Sequence, residues 1–428
     1  MSESVPHGWT TIAASELFSF ITSGSRGWAA HYADEGAKFI RVQNVRRGRI
    51  DLDLDDVQHV QPPNDAEGVR TRLKPGDLVI TITADLGRVG LVPSDLGEAY
   101  VNQHVALARP IDPQLSPYLA WFVTNPSAQE QLGLFDRGAT RAGLGLKDIG
   151  AVLVPLPPLA EQRRIVARIE ALFARTRRAR ADLERVGSLA KHFRRRLLRT
   201  RLDAESHGWP VATIADVSDN HDGRRVPLKE SERAKRRGEF PYYGASGQID
   251  TINDYLFDGD FLLISEDGAN LLARSTPIAF RASGRFWVNN HAHIVSPKQE
   301  IRIDFLEHAI EAIDLEPFVT GSAQPKLTQR ALNAISIPFP SLADQAEAAA
   351  KIDCGTRAAQ MAEHEATRAL ALLDRLEQSI LARAFRSELV AQDPADETAA
   401  PFTSRPEDTA PAPPSARRRR GRPPSPPR

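Results

Sequence analysis

Two stretches of the sequence concentrate side chains that can donate or accept hydrogen bonds in fixed geometry. Arg41, Gln43, Asn44, Arg46 and Arg47 crowd the first. In the second, Arg224, Arg225, Lys229, Arg233, Lys235, Arg236 and Arg237 precede an aromatic and amide run of Tyr242, Tyr243, Ser246 and Gln248. A guanidinium can grip guanine O6 and N7 with two parallel bonds, and an Asn or Gln amide can do the same for adenine N6 and N7. Surplus Arg and Lys would anchor the phosphates and fix the register. A solvated charged loop has the same composition, and for any single residue that is the commoner case. Taken together, the 224–237 run favours contact with DNA. The face of a long helix bearing Arg175, Arg177, Arg178, Arg180, Arg194, Arg195 and Arg196 either follows a nucleic-acid backbone or is simply solvated.

Covalent chemistry has no comparable support. The chain lacks a G-x-x-x-x-G-K-[ST] phosphate loop, an H-E-x-x-H zinc helix and a G-x-S-x-G elbow. Asn125-Pro126-Ser127 falls short of the Asn-Pro-Pro-aromatic motif of amino-methyltransferases. The glycines Gly138, Gly143 and Gly145 follow an expected helix, so a turn is the better reading. His104 and His291 each sit in an alternating strand beside Asn and are expected to be hydrogen-bonded structural residues. No metal ligand set, bound cofactor or catalytic residue is expected.

The elements that must hold these side chains come in duplicate. His7-Gly8-Trp9 recurs as His207-Gly208-Trp209, and Val101-Asn102-Gln103-His104 as Val288-Asn289-Asn290-His291. VPLPPLAEQ (154–162) returns 183 residues later as IPFPSLADQ (337–345). Three matches in the same order mark a duplicated unit. Each unit opens with a variable stretch of short strands, at 38–45, 77–84 and 100–108 in the first, with short helices expected over 116–132 and 304–316. Each then passes through the Pro-rich motif into a long helix, where proline is tolerated at the first turn. Apolar residues step by fours and threes from Ile165 through Ile169, Leu172, Thr176, Ala179, Leu183, Val186, Ala190 and Phe193 to Leu197. The second seam runs from Ala348 through Ile352, Gly355, Ala359, Ala362, Ala366, Ala369, Leu373 and Leu376 to Ile380. That 3.5-residue rhythm predicts a coiled coil. Antiparallel pairing would set bulky Phe193 and Leu197 against small Ala348, Gly355 and Ala359, and Leu373, Leu376 and Ile380 against Ile165, Ile169 and Leu172. Charge agrees, because residues 161–201 carry 14 basic against 4 acidic side chains and 344–388 carry 6 against 8, with parallel or intermolecular pairing as the open alternatives.

The expected fold is therefore α+β. Two mixed α/β domains stand in a pseudo-two-fold tandem repeat, joined by two long antiparallel coiled-coil helices and followed by a disordered tail. The divisions fall at 1–157, 158–203, 204–340, 341–390 and 391–428. The Pro/Arg-rich tail lacks the apolar residues to order itself. Its Arg420-Gly421-Arg422-Pro423 resembles the AT-hook core that enters A·T-rich minor grooves, and a non-specific phosphate-binding arm, or a tail without function, explains it equally well. Overall charge conceals this pattern: 428 residues carry 55 basic and 55 acidic side chains, yet only nine of the basic ones are Lys. The single cysteine, Cys354, excludes an internal disulfide and a cysteine-ligated zinc, and no apolar run suits a membrane span, so a cytoplasmic protein is expected.

The order of these motifs resembles the specificity (S) subunit of type I restriction–modification systems. The resemblance rests on the two variable domains, each closed by a Pro-rich entry into a long helix. The central copy reads Pro155-Leu156-Pro157-Pro158-Leu159-Ala160-Glu161-Gln162 and the distal copy Pro338-Phe339-Pro340-Ser341-Leu342-Ala343-Asp344-Gln345. It extends over about residues 7–390, and Ala346-Glu347-Ala348 departs from the family where two basic residues and an Ile usually stand. It implies that each variable domain is a target-recognition domain reading one half of a bipartite double-stranded DNA site, with the helices as spacer. It further implies two modification subunits that bind S-adenosylmethionine and methylate adenine, and restriction subunits that use ATP and Mg²⁺. The chain itself would catalyse nothing. A coiled-coil scaffold that assembles partners without reading sequence is the alternative.

Overall fold

The computed structural model describes residues 6–134, 143–321 and 324–396. The chain divides into two dense units, Met1–Arg178 with Leu372–Arg428, and Ala179–Ala371. Each long helix therefore contributes one half to each unit, which cuts across the five-part division expected from the sequence.

The two units share one plan. In the first, strands Phe18–Ser23, Val105–Pro110, Leu78–Thr81 and Val89–Leu91 form a four-stranded sheet in that order. A second sheet orders Tyr32–Ala33, Gln58–Val60, Ala37–Ile40 and Ala99–Val101. The second unit repeats this as Ser218–Asn220, Ala292–Pro297, Phe261–Ser265 and Ala279–Ala282, beside Gly247–Ile252, Phe240–Gly244, Arg285–Val288 and Phe257–Asp258. Among the described strands only two pairings are parallel, Ala37–Ile40 with Ala99–Val101 and Phe240–Gly244 with Arg285–Val288. They occupy corresponding places.

Where the sequence suggests one strand over 100–108, the structure has two. The chain turns at Asn102, whose Oδ1 accepts the His104 N–H at 3.0 Å, and passes from one sheet to the other. Asn289 makes the same turn with the His291 N–H at 2.8 Å. Short polar side chains that mimic backbone in this way break a strand locally. The helices are Ser116–Thr124, Pro126–Leu134 and Ile303–Ala312, close to expectation.

The central helix spans Leu159–Arg201 and the distal helix Leu342–Ala384. Their pairing is antiparallel. In the first unit Ile165, Ile169 and Phe173 share a core with Ile380, Leu381, Ala384 and Phe385. In the second, Leu197 and Leu198 of the central helix, with Leu202 just beyond its end, pack with Ala348 and Ile352 of the distal helix. The large-to-small match is direct at Gly355, where an added Cβ would lie 2.4 Å from Leu197 Cδ2 and 3.4 Å from the Phe193 ring. Arg194 donates to both carboxylate oxygens of Glu363 at 3.1 Å, joining the basic helix to the acidic one.

The strict four-three seam fails at several places, Phe193 among them at 48% exposure. Phe173, not Leu172, is the buried residue, because it stacks edge-on against Trp121 at 4.9 Å. Leu376, expected against the first helix, is 48% exposed. Where the helix leaves its partner for a domain surface, the wider stripe of an ordinary amphipathic helix takes over.

Both Pro-rich entries are closed alike, with Gln162 Nε2 donating to the Pro157 carbonyl and Gln345 Nε2 to that of Pro340, each at 2.9 Å. Glu161 is buried and accepts from Trp9 Nε1 at 3.1 Å and Ser387 Oγ at 3.2 Å, clasping three parts of the first unit. Burial pushes its carboxyl up despite those two bonds. After the distal helix, Gln392 donates to the His7 carbonyl at 2.9 Å and Asp396 pairs with Arg164 at 2.6 Å. Residues 391–396 are thus tied to the first unit, so the ordered chain extends past the expected start of the tail. Residues 397–428, with the Arg420–Pro423 motif, lie outside the described part, as do residues 135–142, which hold Gly138.

Candidate nucleic-acid interface

The two Asn-x-His turns locate the same place in each unit. Asn102 N–H donates to the Ile40 carbonyl at 3.3 Å, and Asn289 N–H to that of Tyr243 at 3.1 Å. The residues that follow Ile40 and Tyr243 are the stretches singled out in the sequence, Arg41–Arg47 and the 244–248 hairpin tip. Both leave the sheet beside the turn. A third segment joins them: Ile82 N–H bonds the His104 carbonyl at 3.0 Å and Glu266 N–H that of His291 at 2.9 Å. The next residues, Thr83 and Asp267, each hold the neighbouring histidine ring. Beyond them Ala84 and Gly268 both turn through positive φ, 65° and 107°. For alanine that conformation costs about 1 kcal/mol.

Individual side chains within these clusters meet different fates. In the first unit Gln43 is exposed, and so are Arg46, paired with Asp53, and Arg47, paired with Asp85. Arg41 is half-buried. Asn44 is committed to its own loop: it is 1% exposed, its Nδ2 donates to the Asp53 and Asp56 carbonyls at 2.9 Å, and its Oδ1 accepts from Arg41 N–H at 2.9 Å. Both Nδ2 protons and the Oδ1 already have partners within the loop itself.

In the second unit Lys229, Arg237 and Gln248 are exposed. Arg224 lies over the Phe257 ring at 4.6 Å and Arg236 over Trp287 at 4.8 Å, Arg236 also bonding Asp254 at 2.9 Å. Cation–π contact fixes both heads against the domain. Tyr242 is fully buried with its hydroxyl accepting from the Leu228 N–H at 3.0 Å, and Tyr243 packs on Phe280 and Phe286. Neither ring is placed to stack on a base. Arg225 is also structural, its guanidinium donating to Glu266 at 2.5 Å and to the Ala292 carbonyl at 2.8 Å.

Arg225 belongs to a buried ionic core. His293, 1% exposed, directs Nδ1 at Asp222 Oδ2 at 2.6 Å and Nε2 at the Leu327 carbonyl at 2.8 Å. Asp222 also accepts the Ile294 N–H at 2.9 Å, and Glu266 pairs with Lys326 at 3.0 Å. Asp222, Glu266 and His293 stand close enough to hold a metal ion. The donor set argues otherwise, because both ring nitrogens face acceptors and both carboxylates already receive protons from protein groups. Burial pushes the Asp222 and Glu266 carboxyls up, but bonds from His293 to the first and from Arg225 and Lys326 to the second outweigh it and hold both below their ordinary range.

The sequence did not single out Asp267 as a candidate, and it read His291 as purely structural. Their signal was the VNQH/VNNH repeat itself, which marks the position where three segments converge.

The fold defines a class: a tandem pair of α/β modules held on two antiparallel helices, each module offering a polar loop cluster beside a shared turn. The family described as type I restriction modification DNA specificity domain matches residues 62–185 and 206–359. This chain belongs to that family, that of the specificity subunits. It is 36% identical over 163 residues to a putative type I restriction enzyme specificity subunit of Haemophilus influenzae, covering 38% of this chain and 40% of that protein. It is 22% identical over 454 residues to the StySPI specificity subunit of Salmonella potsdam, covering 91% and 90%. A solved chain from work on complex assembly and conformational transition of the type I R-M system aligns with a TM-score of 0.71 at 19% identity, covering 90% of this chain and all of that one. The HsdS subunit of Thermoanaerobacter tengcongensis aligns at 0.58 and 20%, covering 90% and 99%. These likenesses bear out the α+β tandem fold with paired helices. Among the described residues no helix is long and apolar enough to cross a membrane.

Proposed function

We propose that this chain binds double-stranded DNA, each module reading one half of a bipartite site, and directs partner subunits to it. Two modification subunits carrying S-adenosylmethionine would methylate adenine, and restriction subunits using ATP and Mg²⁺ would cleave unmethylated DNA, all in the cytoplasm. The observation that carries the reading is the repeated convergence of an Asn-x-His turn, a strand end and a polar loop in both modules. The scaffold is shared while the exposed side chains differ: Gln43, Arg46 and Arg47 in one, Ser246 and Gln248 in the other. That is how two readers with different targets would diverge. The 43-residue central helix extends about 65 Å at 1.5 Å per residue, enough to serve readers one DNA turn or more apart. The test is to map methylated adenines in cells with and without the gene, then exchange residues 1–150 for the first module of another specificity subunit. One half of the methylated motif should change and the other persist. A change in both halves, or none, defeats modular reading, and retained methylation with neither half altered favours a scaffold.

A further inference from the structure

The corresponding histidines of the two modules are finished differently. In the first, Gln103 Nε2 donates to His104 Nε2 at 2.9 Å, which leaves the ring proton on Nδ1, given to Thr83 Oγ1 at 2.8 Å. Both ring nitrogens are used within the module. In the second, Asp267 takes the place of Thr83 and Asn290 that of Gln103. Asp267 receives the His291 Nδ1 proton through both carboxylate oxygens, at 2.8 and 3.0 Å. His291 Nε2 makes no hydrogen bond to a described residue, and the side chain is 47% exposed. The carboxylate beyond it sits on a fixed strand end, since Glu266 N–H and Leu327 N–H anchor that segment and Glu266 itself is clamped by Arg225 and Lys326. A carboxylate that holds Nδ1–H fixes the tautomer and the ring plane and presents Nε2 outward.

We infer that His291 is a base-reading residue of the second module, with Asp267 as the residue that positions it, whereas His104 is closed to that role. The inference rests on the DNA-reading function proposed above. The hairpin tip beside the turn carries Ser246 and exposed Gln248, and Ser265 Oγ donates to the Ala245 carbonyl at 2.5 Å, tying the tip to the strand that leads into Asp267. His291 therefore lies among the groups that would meet a groove edge. With Nδ1–H committed, Nε2 of the neutral ring is an acceptor, suited to the exocyclic amine of adenine or cytosine. The protonated ring would instead donate to guanine O6 or N7.

The experiment uses the full chain assembled with its modification subunits and duplexes carrying the methylated site, with every position of both half-sites varied singly. Affinities are compared for the parent, His291→Ala and Asp267→Asn, with thermal melting recorded for each. His291→Ala should lower discrimination at one position of one half-site by about 5- to 20-fold. Asp267→Asn should weaken the same position, and the other half-site should keep its profile. Unchanged preferences in His291→Ala, or equal loss for all sequences as expected of a phosphate contact, would overturn the assignment while leaving modular reading intact. A parent complex without base preference in either half would remove both.

Discussion

Removing Asp222 tests whether the ionic core of the second unit holds it together. Asp222→Ala deletes the partner of His293 Nδ1 at 2.6 Å, of Ile294 N–H at 2.9 Å and of Arg225 at 3.5 Å. The groups left behind are buried, so the loss is the desolvation of unpaired donors rather than the net worth of a surface pair. We expect a loss of about 3–5 kcal/mol, the range for breaking a buried pair from one side. Urea unfolding should be followed by hydrogen exchange with mass spectrometry, which assigns the loss to residues 179–371 and not to the first unit. A cycle with His293→Ala should return a coupling of at least about 2 kcal/mol. The pH dependence has a fixed sign. Because the folded protein holds the Asp222 carboxyl below its ordinary range, its contribution is present above that range and lost as pH falls through the folded value. The gap between parent and variant should thus be full near pH 5 and narrow progressively as pH falls below about 4. A loss under about 1 kcal/mol, a coupling near zero, or a gap that does not narrow at all on acidification would refute this account of the core.

Phe385 lies 5.2 Å from the Tyr118 ring and 5.3 Å from that of Phe122, at 6% exposure. Phe385→Ala should cost the first unit about 3–4 kcal/mol in denaturant unfolding, and a loss under 1 would show that the distal end is not part of its core. Ala84→Gly relieves the positive φ on an exposed residue and should raise stability by about 0.5–1 kcal/mol, whereas a decrease would mean the side chain has a packing role. Ala359 is 6% exposed on the distal helix, and Ala359→Leu should destabilise the second unit by about 1–3 kcal/mol in the same assay. An unchanged melting temperature would show the seam has room there.

Much of the architecture was legible because it is periodic or duplicated. The 183-residue shift and the large-to-small seams favoured antiparallel pairing over a parallel or intermolecular one, and Gly355 against Leu197 shows why. What was not legible depended on which neighbour a side chain meets. Asn44, Tyr242 and Arg225 look like readers in sequence, since an amide, a phenol and a guanidinium near basic residues suit a groove. In the fold each completes a bond that its own module requires. The VNNH match was visible, but the carboxylate that holds His291 Nδ1 lies 24 residues away, just past another strand, beyond the reach of local pattern.

The first unit is assembled from both ends of the chain, with Tyr118 and Phe122 meeting Phe385, Trp9 meeting Glu161, and Ser387 meeting Glu161. In genetic terms the two halves of the gene are therefore not independent. A stop codon after the first module but before the last turns of the distal helix spares every residue of that module yet removes the aromatic plug from its core. A protease nick in a loop of the second unit has the reverse effect: it severs the chain, but the flanking pieces stay joined through the first unit until that unit itself unfolds.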